Sequence, residues 1–370
     1  MEEDSRYFGS KVDALIKGQN LTRTETGDLF RRILNNEQPE LQQGAFLAAI
    51  TAKGATPQEI AGIWEAIYEL DTIKVHPDVS GPLTENCGTG MDSIKTFNIS
   101  TAASIVAASD GIRMAKHGAR AITSKCGAVD ILETLGVDVE CDVSLVKRSI
   151  EQAGIGIFNG MSSKVHPQAL YRILSQIRFG TVLNIAGSLA NPALPSYGVR
   201  GVYSREMVHP IAMAMKEIGY KSAMVMHGRS ADGIRGMDEL STLGPSYVAE
   251  LDEDGEIHEY TIALEELGVK KGIEASILYQ TDQTAEAISL LRVLSGEDKS
   301  HRSEIVCLNA APLLHITGHA ESLKDGLDKA REILDSDKPI RKLKAWVKQQ
   351  NSEPEERLEK LDEMLALALA

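Results

Sequence analysis

The stretch Asn86-Cys87-Gly88-Thr89-Gly90-Met91-Asp92 follows an expected strand and leads toward an apolar helix that runs on from Thr101. A glycine-bearing turn that feeds a helix start leaves backbone N–H groups unpaired, and such groups attract an anion, typically a phosphate. From Val75 onward the pattern around it is one of short apolar runs alternating with amphipathic stretches. Gly156-Ile157-Phe158, Thr181-Val182-Leu183-Asn184, Ala223-Met224-Val225-Met226 and Ile305-Val306-Cys307-Leu308 read as buried strands, and residues 208–218 and 320–335 read as helices. That alternation predicts an α/β domain with a mostly parallel central sheet. Asp254-Gly255, between residues 248–251 and 257–261, has the form of a hairpin turn.

Upstream, residues 1–75 read as helices only. Thr22 with Glu25, and Thr56 with Glu59, fit Thr-x-x-Glu capping boxes, and Pro57 suits the first helical position. Ile60, Ile63, Trp64, Ile67 and Leu70 recur at helical spacing and form one stripe. A bundle this small buries little by itself, so it is expected to pack on something else, a second copy included. At the other end, residues 351–370 read as a charged, solvated terminal helix with Leu358, Leu361 and Leu365 on one face.

The chain has 370 residues, 43% hydrophobic and 25% charged, which supports a sizeable core and excludes general disorder. Its 53 acidic against 39 basic residues (net charge −14) argue against nucleic acid or an anionic membrane as an obligate partner. Cys87, Cys126, Cys141 and Cys307 lie far apart with no Cys-x-x-Cys pair, so neither a zinc site nor a disulfide framework is expected. The acidic start Met1-Glu2-Glu3-Asp4 does not read as a signal peptide, and no apolar run approaches membrane-spanning length. The expected location is the cytoplasm.

Chemistry concentrates after the glycine turn. Thr96-Phe97-Asn98-Ile99-Ser100-Thr101 places short hydrogen-bonding side chains at a helix start, where they either cap the helix or hold a phosphate or a metal-bound water. Lys116-His117-Gly118-Ala119-Arg120 and Thr123-Ser124-Lys125-Cys126-Gly127 are two basic, glycine-containing loops suited to a multiply charged phosphate ester. Gly236-Met237-Asp238-Glu239-Leu240-Ser241 sets two carboxylates side by side. Mg²⁺ takes one or two carboxylates together with substrate oxygens and water; general acid–base work is the competing role.

Together these motifs resemble the anthranilate phosphoribosyltransferase family, within the superfamily of nucleoside phosphorylases and phosphoribosyltransferases. The likeness runs from about Leu21 to Val347 and also takes in Asn191-Pro192-Ala193, Gly201-Val202-Tyr203-Ser204 and Leu308-Asn309-Ala310-Ala311. It implies a small all-helical domain (1–75, joined by helices from about 165–195), a larger α/β domain (76–350) and a homodimer formed through the helical part. The implied reaction transfers ribose 5-phosphate from phosphoribosyl pyrophosphate to the amine of anthranilate, in tryptophan biosynthesis.

Carried over residue by residue, Gly88, Met91, Asp92, Thr96, Asn98, Ser100, Thr101, Lys116 and Ser124 would bind the phosphoribosyl pyrophosphate. Ser100, Asp238 and Glu239 would hold Mg²⁺, two ions, and Gly88, Ala119 and Arg178 would meet the acceptor. The sequence departs from the family pattern at four places. Met91 stands at a second consecutive glycine, Ala119 at an asparagine and Ser188 at a proline; the acceptor-carboxylate arginine falls by count on Gln176, with Arg178 and Arg172 the nearest candidates. Alternatives are a related transferase or phosphorylase acting on another aromatic or heterocyclic acceptor, and a non-catalytic paralogue that binds nucleic acid.

Overall fold

The computed structural model describes residues 2–121, 126–280 and 282–370. Eight strands form one sheet: β1 (Leu83–Cys87), β2 (Arg113–Gly118), β3 (Ile155–Asn159), β4 (Tyr197–Gly201), β5 (Ser222–Arg229), β6 (Gly236–Met237), β7 (Ser246–Leu251) and β8 (Ile257–Ile262). Their order is β3-β2-β1-β4-β5-β7-β8, with β6 beside β5. The pairs from β3 through β5 are parallel; β5–β6, β5–β7 and the β7–β8 hairpin are antiparallel. The chain moves outward from β1 through β2 to β3, then returns to lay β4 and β5 on the other side of β1. The order therefore reverses between β1 and β4, and the crevice beyond the carboxyl ends of those strands is where open α/β sheets bind ligands.

Helices cover both faces. On one side lie Ile99–Ser109, Gln283–Leu294, His301–Ile316, Leu323–Leu334 and Lys338–Gln349, sharing an apolar core with Met224 and Met226. On the other, Val208–Glu217 joins β5 and β7 to the helical bundle Arg23–Leu34, Glu40–Lys53 and Pro57–Leu70. Both capping boxes form, at Thr22 with Glu25 and at Thr56 with Glu59. Ile60, Ile63 and Ile67 are fully buried, and Trp64 donates its indole N–H to the Leu189 carbonyl at 3.0 Å. That stripe is spent inside the molecule and is not free to meet a second copy. Leu170, Ile173, Leu183 and Leu189 belong to the same apolar cluster as the bundle.

Three local readings are corrected. Ile305-Val306-Cys307-Leu308 lies in the helix His301–Ile316, not in a strand; the helix is buried nearly all round, so its apolar run carries no period to tell the two apart. Thr181-Val182-Leu183-Asn184 starts the short helix Leu183–Leu189, with Thr181 N–H donating to Asn184 Oδ1 and Leu183 N–H to Thr181 Oγ1. The terminal helix Pro354–Leu369 is packed rather than solvated: Leu361, Met364 and Ala368 are buried, and Arg292 donates to the Ala368 carbonyl. Among the described residues no helix is long and apolar enough to cross a membrane.

One carboxylate ties the bundle to the segment that walls the crevice. Asp71, fully buried after Pro57–Leu70, accepts the backbone N–H groups of Gln168 (2.5 Å), Ala169 (3.0 Å) and Leu170 (2.6 Å). Asp71→Ala leaves three backbone donors, two of them buried, without a partner and should cost about 2–4 kcal/mol. Urea unfolding at neutral pH measures this as a lowered midpoint with an unchanged slope.

Candidate active site

The crevice is lined by the loop after β1, the ends of β2 and β3, the segment 170–188 and the carboxylates after β6. Gly88 sits against Asp238, where a Cβ would lie 2.9 Å from the Asp238 Cβ. Gly201, at the end of β4, runs so close to the Asp238 backbone that a Cβ there would lie 1.5 Å from its carbonyl oxygen. Glycine at both places lets Asp238 enter the crevice from the far side of β4. Its Oδ2 accepts from Thr89 Oγ1 (2.6 Å) and from the Gly90 N–H (2.8 Å), which locks the glycine turn onto the carboxylate.

The charges here are unbalanced. Asp238 Oδ1 and Glu239 Oε2 are buried with no hydrogen-bond partner among the described residues. Burial raises both carboxyls above their usual range, Glu239 well above it, with Asp92 and Asp238 adding repulsion. Asp92 is pushed up to about 7, first by burial and then by Asp238, although Lys95 Nζ lies 3.2 Å from its Oδ1. Asp92 and Glu239, each pushed up in part by the Asp238 charge, and the open oxygens on Asp238 and Glu239 form a site that favours a cation. Among the described residues no group of three or more His, Cys, Asp or Glu makes a complete metal cage. That fits Mg²⁺, which needs few protein ligands when substrate oxygens complete its shell. Asp238 and Glu239 are the residues that would hold it.

Most of the expected donor-site residues meet in this crevice. Gly88, Asp92, Thr96, Asn98, Ser100 and Lys116 all line it, as do Ala119 and the two carboxylates. Asn98 Oδ1 is buried without a partner among the described residues. Lys116 Nζ donates to the Asn86 carbonyl (2.8 Å) and Ser104 Oγ (3.1 Å), and burial pushes it down to about 8. A lysine this desolvated gains from an incoming phosphate charge.

Other assignments change. Thr101 is fully buried one turn behind the wall and does not line the crevice. Met91 turns away from it, into a small gap bounded by Thr51, Gly54, Val182 and Tyr203, with its Cε 2.6 Å from where a Gly180 Cβ would stand. The bulk of the Met91 side chain therefore lies outside the crevice. Ser124 falls outside the described residues. Arg120 lines the crevice but is held by Asp130, Glu133 and Glu140, so it is not a free phosphate ligand.

Neither candidate arginine reaches the acceptor position. Arg178 ends the helix Leu170–Ile177 in a left-handed conformation (φ 46°), is exposed and does not line the crevice. Arg172 is turned the other way, to Gln43 Oε1 and the Ile33 carbonyl. The wall in question consists of Leu170, Leu174, Leu183, Asn184, Gly187 and Ser188. Beside it His117, which also lines the crevice, meets His166 through an Nε2···Nε2 contact of 3.1 Å. His117 lies within the Lys116-His117-Gly118 motif, but nothing in the sequence joins it to His166, because residues 49 apart carry no spacing signal.

The comparisons with known proteins agree with this geometry. The glycosyl transferase family's helical bundle domain matches residues 12–70, and the same family's a/b domain matches residues 80–339. The chain is 38% identical over 345 residues to the anthranilate phosphoribosyltransferase of Methanococcoides burtonii, covering 92% of this chain and 93% of that protein. It is 36% identical to the Chloroflexus aggregans protein of the same name, over 90% and 95% of the two chains. The crystal structure of anthranilate phosphoribosyltransferase from Thermus thermophilus superposes with a TM-score of 0.82 at 31% identity, covering 92% of this chain and 98% of that one. A bundle and sheet in this order, with a glycine turn and a carboxylate pair meeting at the strand reversal, place the chain in the anthranilate phosphoribosyltransferase family of glycosyl transferases.

Proposed function

We propose that this pentosyltransferase moves the 5-phosphoribosyl group from phosphoribosyl pyrophosphate to the amine of anthranilate, in the cytoplasm, with two Mg²⁺ ions. The observation that carries the reading is the open, mutually repelling pair Asp238 and Glu239 facing the glycine turn Gly88-Thr89-Gly90. The names carried by its relatives support the reaction and the acceptor.

Bond breaking at the ribose C1 sends negative charge onto the departing diphosphate and leaves positive charge on the ring. Mg²⁺ supplies neutralisation of the diphosphate when bound. Asp238 and Glu239 hold the cation side, with Ser100 nearby on the crevice wall. Asn98 and Lys116 orient the phosphates, and Asp92 faces the same space. The segment 170–188 encloses the acceptor with apolar side chains, so that the weakly nucleophilic amine is held in line while water is excluded. A second reading, another aromatic amine as acceptor, is favoured by Ala119 and by the absence of Arg178 and Arg172 from the crevice wall. The homodimer is proposed through the helical part, which leaves Tyr7, Ile16 and Leu41 exposed on Glu2–Ile16 and Glu40–Lys53.

Asp238→Asn and Glu239→Gln should each lower kcat at least about 100-fold, equivalent to about 2.7 kcal/mol of barrier, and shift the Mg²⁺ dependence to higher concentration. Wild-type rates at limiting Mg²⁺ would remove the metal role. Arg178→Ala should leave the anthranilate KM within twofold of wild type, because the side chain is outside the crevice; steady-state kinetics at saturating donor decides it. Light scattering at micromolar concentration should return twice the 40.1 kDa chain mass, and a clean monomer mass would exclude the dimer.

A further inference from the structure

The wall around the acceptor contains an unfinished hydrogen-bond count. His117 Nδ1 lies 3.0 Å from the Ser188 carbonyl, and His166 Nδ1 lies 2.6 Å from the Asp71 carbonyl. A carbonyl oxygen only accepts, so each Nδ1 must carry a proton. Thr72 Oγ1 is also 3.3 Å from His166 Nδ1, but its hydroxyl proton goes to the Ile67 carbonyl at 3.0 Å, so it too is an acceptor here. The Nε2···Nε2 contact at 3.1 Å needs one proton more. Three contacts therefore need three protons, and two neutral imidazoles have two.

The surroundings decide when the third proton is present. The pair is almost fully buried, and burial together with the neighbouring ring holds His117 down to about 3 and His166 below its ordinary value while the crevice holds no anion. The charged groups facing the pair are few. Arg200 on β4 opposes a proton, but Glu85 on β1 pairs with it and offsets its charge. Asp71, at the end of Pro57–Leu70, favours a proton on His166. Lys116, next to His117 on β2, turns its Nζ away to Asn86 and Ser104. The segment 170–188 adds no charge at the crevice wall: its lining residues are Leu170, Leu174, Leu183, Asn184, Gly187 and Ser188. A carboxylate arriving beside that segment finds no arginine free to pair with it, since Arg120 on the crevice wall is held by Asp130, Glu133 and Glu140, and its charge would stand unpaired.

We propose that binding of an anionic acceptor is coupled to uptake of one proton by the His117–His166 pair, which thereby becomes the buried counter-charge that an arginine would otherwise supply. The inference rests on the aromatic-amine transferase reading and adds how the site recognises the acceptor's charge. The proton passes from solvent to the Nε2···Nε2 contact, where it completes the third hydrogen bond, and it leaves again with the product. The rings do not touch the carboxylate through a free N–H, since all four nitrogens are engaged; they act through the field of one positive charge in a low-dielectric wall. His117 and His166 are thus positioning residues for the acceptor.

The test is calorimetric titration of the full-length protein with anthranilate at pH 7.5, in buffers of different ionisation enthalpy, with neutral 2-aminobenzamide as the matched probe. The expected result is uptake of about one proton per anthranilate and none per 2-aminobenzamide. His166→Gln, which keeps a polar group at the contact but cannot hold the extra proton, should abolish the uptake while the variant still unfolds cooperatively. A heat for anthranilate that is the same in every buffer, zero included, overturns the coupling, as does equal uptake with the neutral amide. Turnover measured on the same preparation separates the two levels. Normal turnover of anthranilate without proton uptake removes only this inference; no turnover with phosphoribosyl pyrophosphate and Mg²⁺ removes the proposed reaction and the inference together.

Discussion

The buried ion pair between Arg200 and Glu85 is the constraint on which the crevice depends. Both side chains are fully buried, on adjacent parallel strands at the point where the strand order reverses. Two charges taken out of water cost several kcal/mol each, and hydrogen bonds around them offset that cost, although Arg200 Nε keeps no partner among the described residues. Here Glu85 also accepts from Asn191 Nδ2, and Arg200 Nη1 reaches Ser188 Oγ at 2.7 Å. Asn191 in turn donates to the Ala115 carbonyl on β2. One pair thus binds β1, β4 and β2 to the end of the helix Leu183–Leu189, which walls one side of the crevice.

From that anchor the two sides of the site are built by different means. The donor side is electrostatic: a glycine turn clamped onto Asp238, a desolvated lysine and carboxylates with oxygens left open. Taken alone these groups repel and are costly, and their cost is the measure of how strongly a Mg²⁺–diphosphate would be held. The side walled by the segment 170–188 is mostly apolar, with His117 at its edge and, one layer back, His166 and the Asp71 carboxylate that caps the segment 168–170. The helical bundle enters the chemistry only through that layer.

The departures from the family pattern sort themselves by side-chain direction. Met91 adds bulk, yet it fills a gap between the glycine turn and the bundle and leaves the crevice clear. Ser188 replaces a proline and supplies a hydroxyl that takes a hydrogen bond from Arg200, while its carbonyl holds His117. Ala119 gives up an amide without any neighbour replacing it. Ser188 and Ala119 both line the crevice, so these two changes alter what a ligand there would touch.

Much of this was legible in the residues because it is local. Capping boxes join positions three apart, the Asp254-Gly255 hairpin joins neighbouring runs, and a glycine turn before a helix start declares an anion site within a few residues. The α/β class follows from the same short-range alternation, and the motifs in order identify the family. What the residues alone did not determine was every feature that needs two distant segments to meet, or a side chain to choose its direction. Ile305 to Leu308 looks like a strand until the surrounding helices bury it on all sides. Arg178 stands near the acceptor position by count, yet the left-handed turn at the helix end carries it to solvent. His117 lies on β2 and His166 just before the helix Leu170–Ile177, and only the packing of the bundle against the sheet brings their Nε2 atoms to 3.1 Å. Periodicity and spacing report the chain's own conformation, whereas a site is a set of distances across it, and those are set by packing.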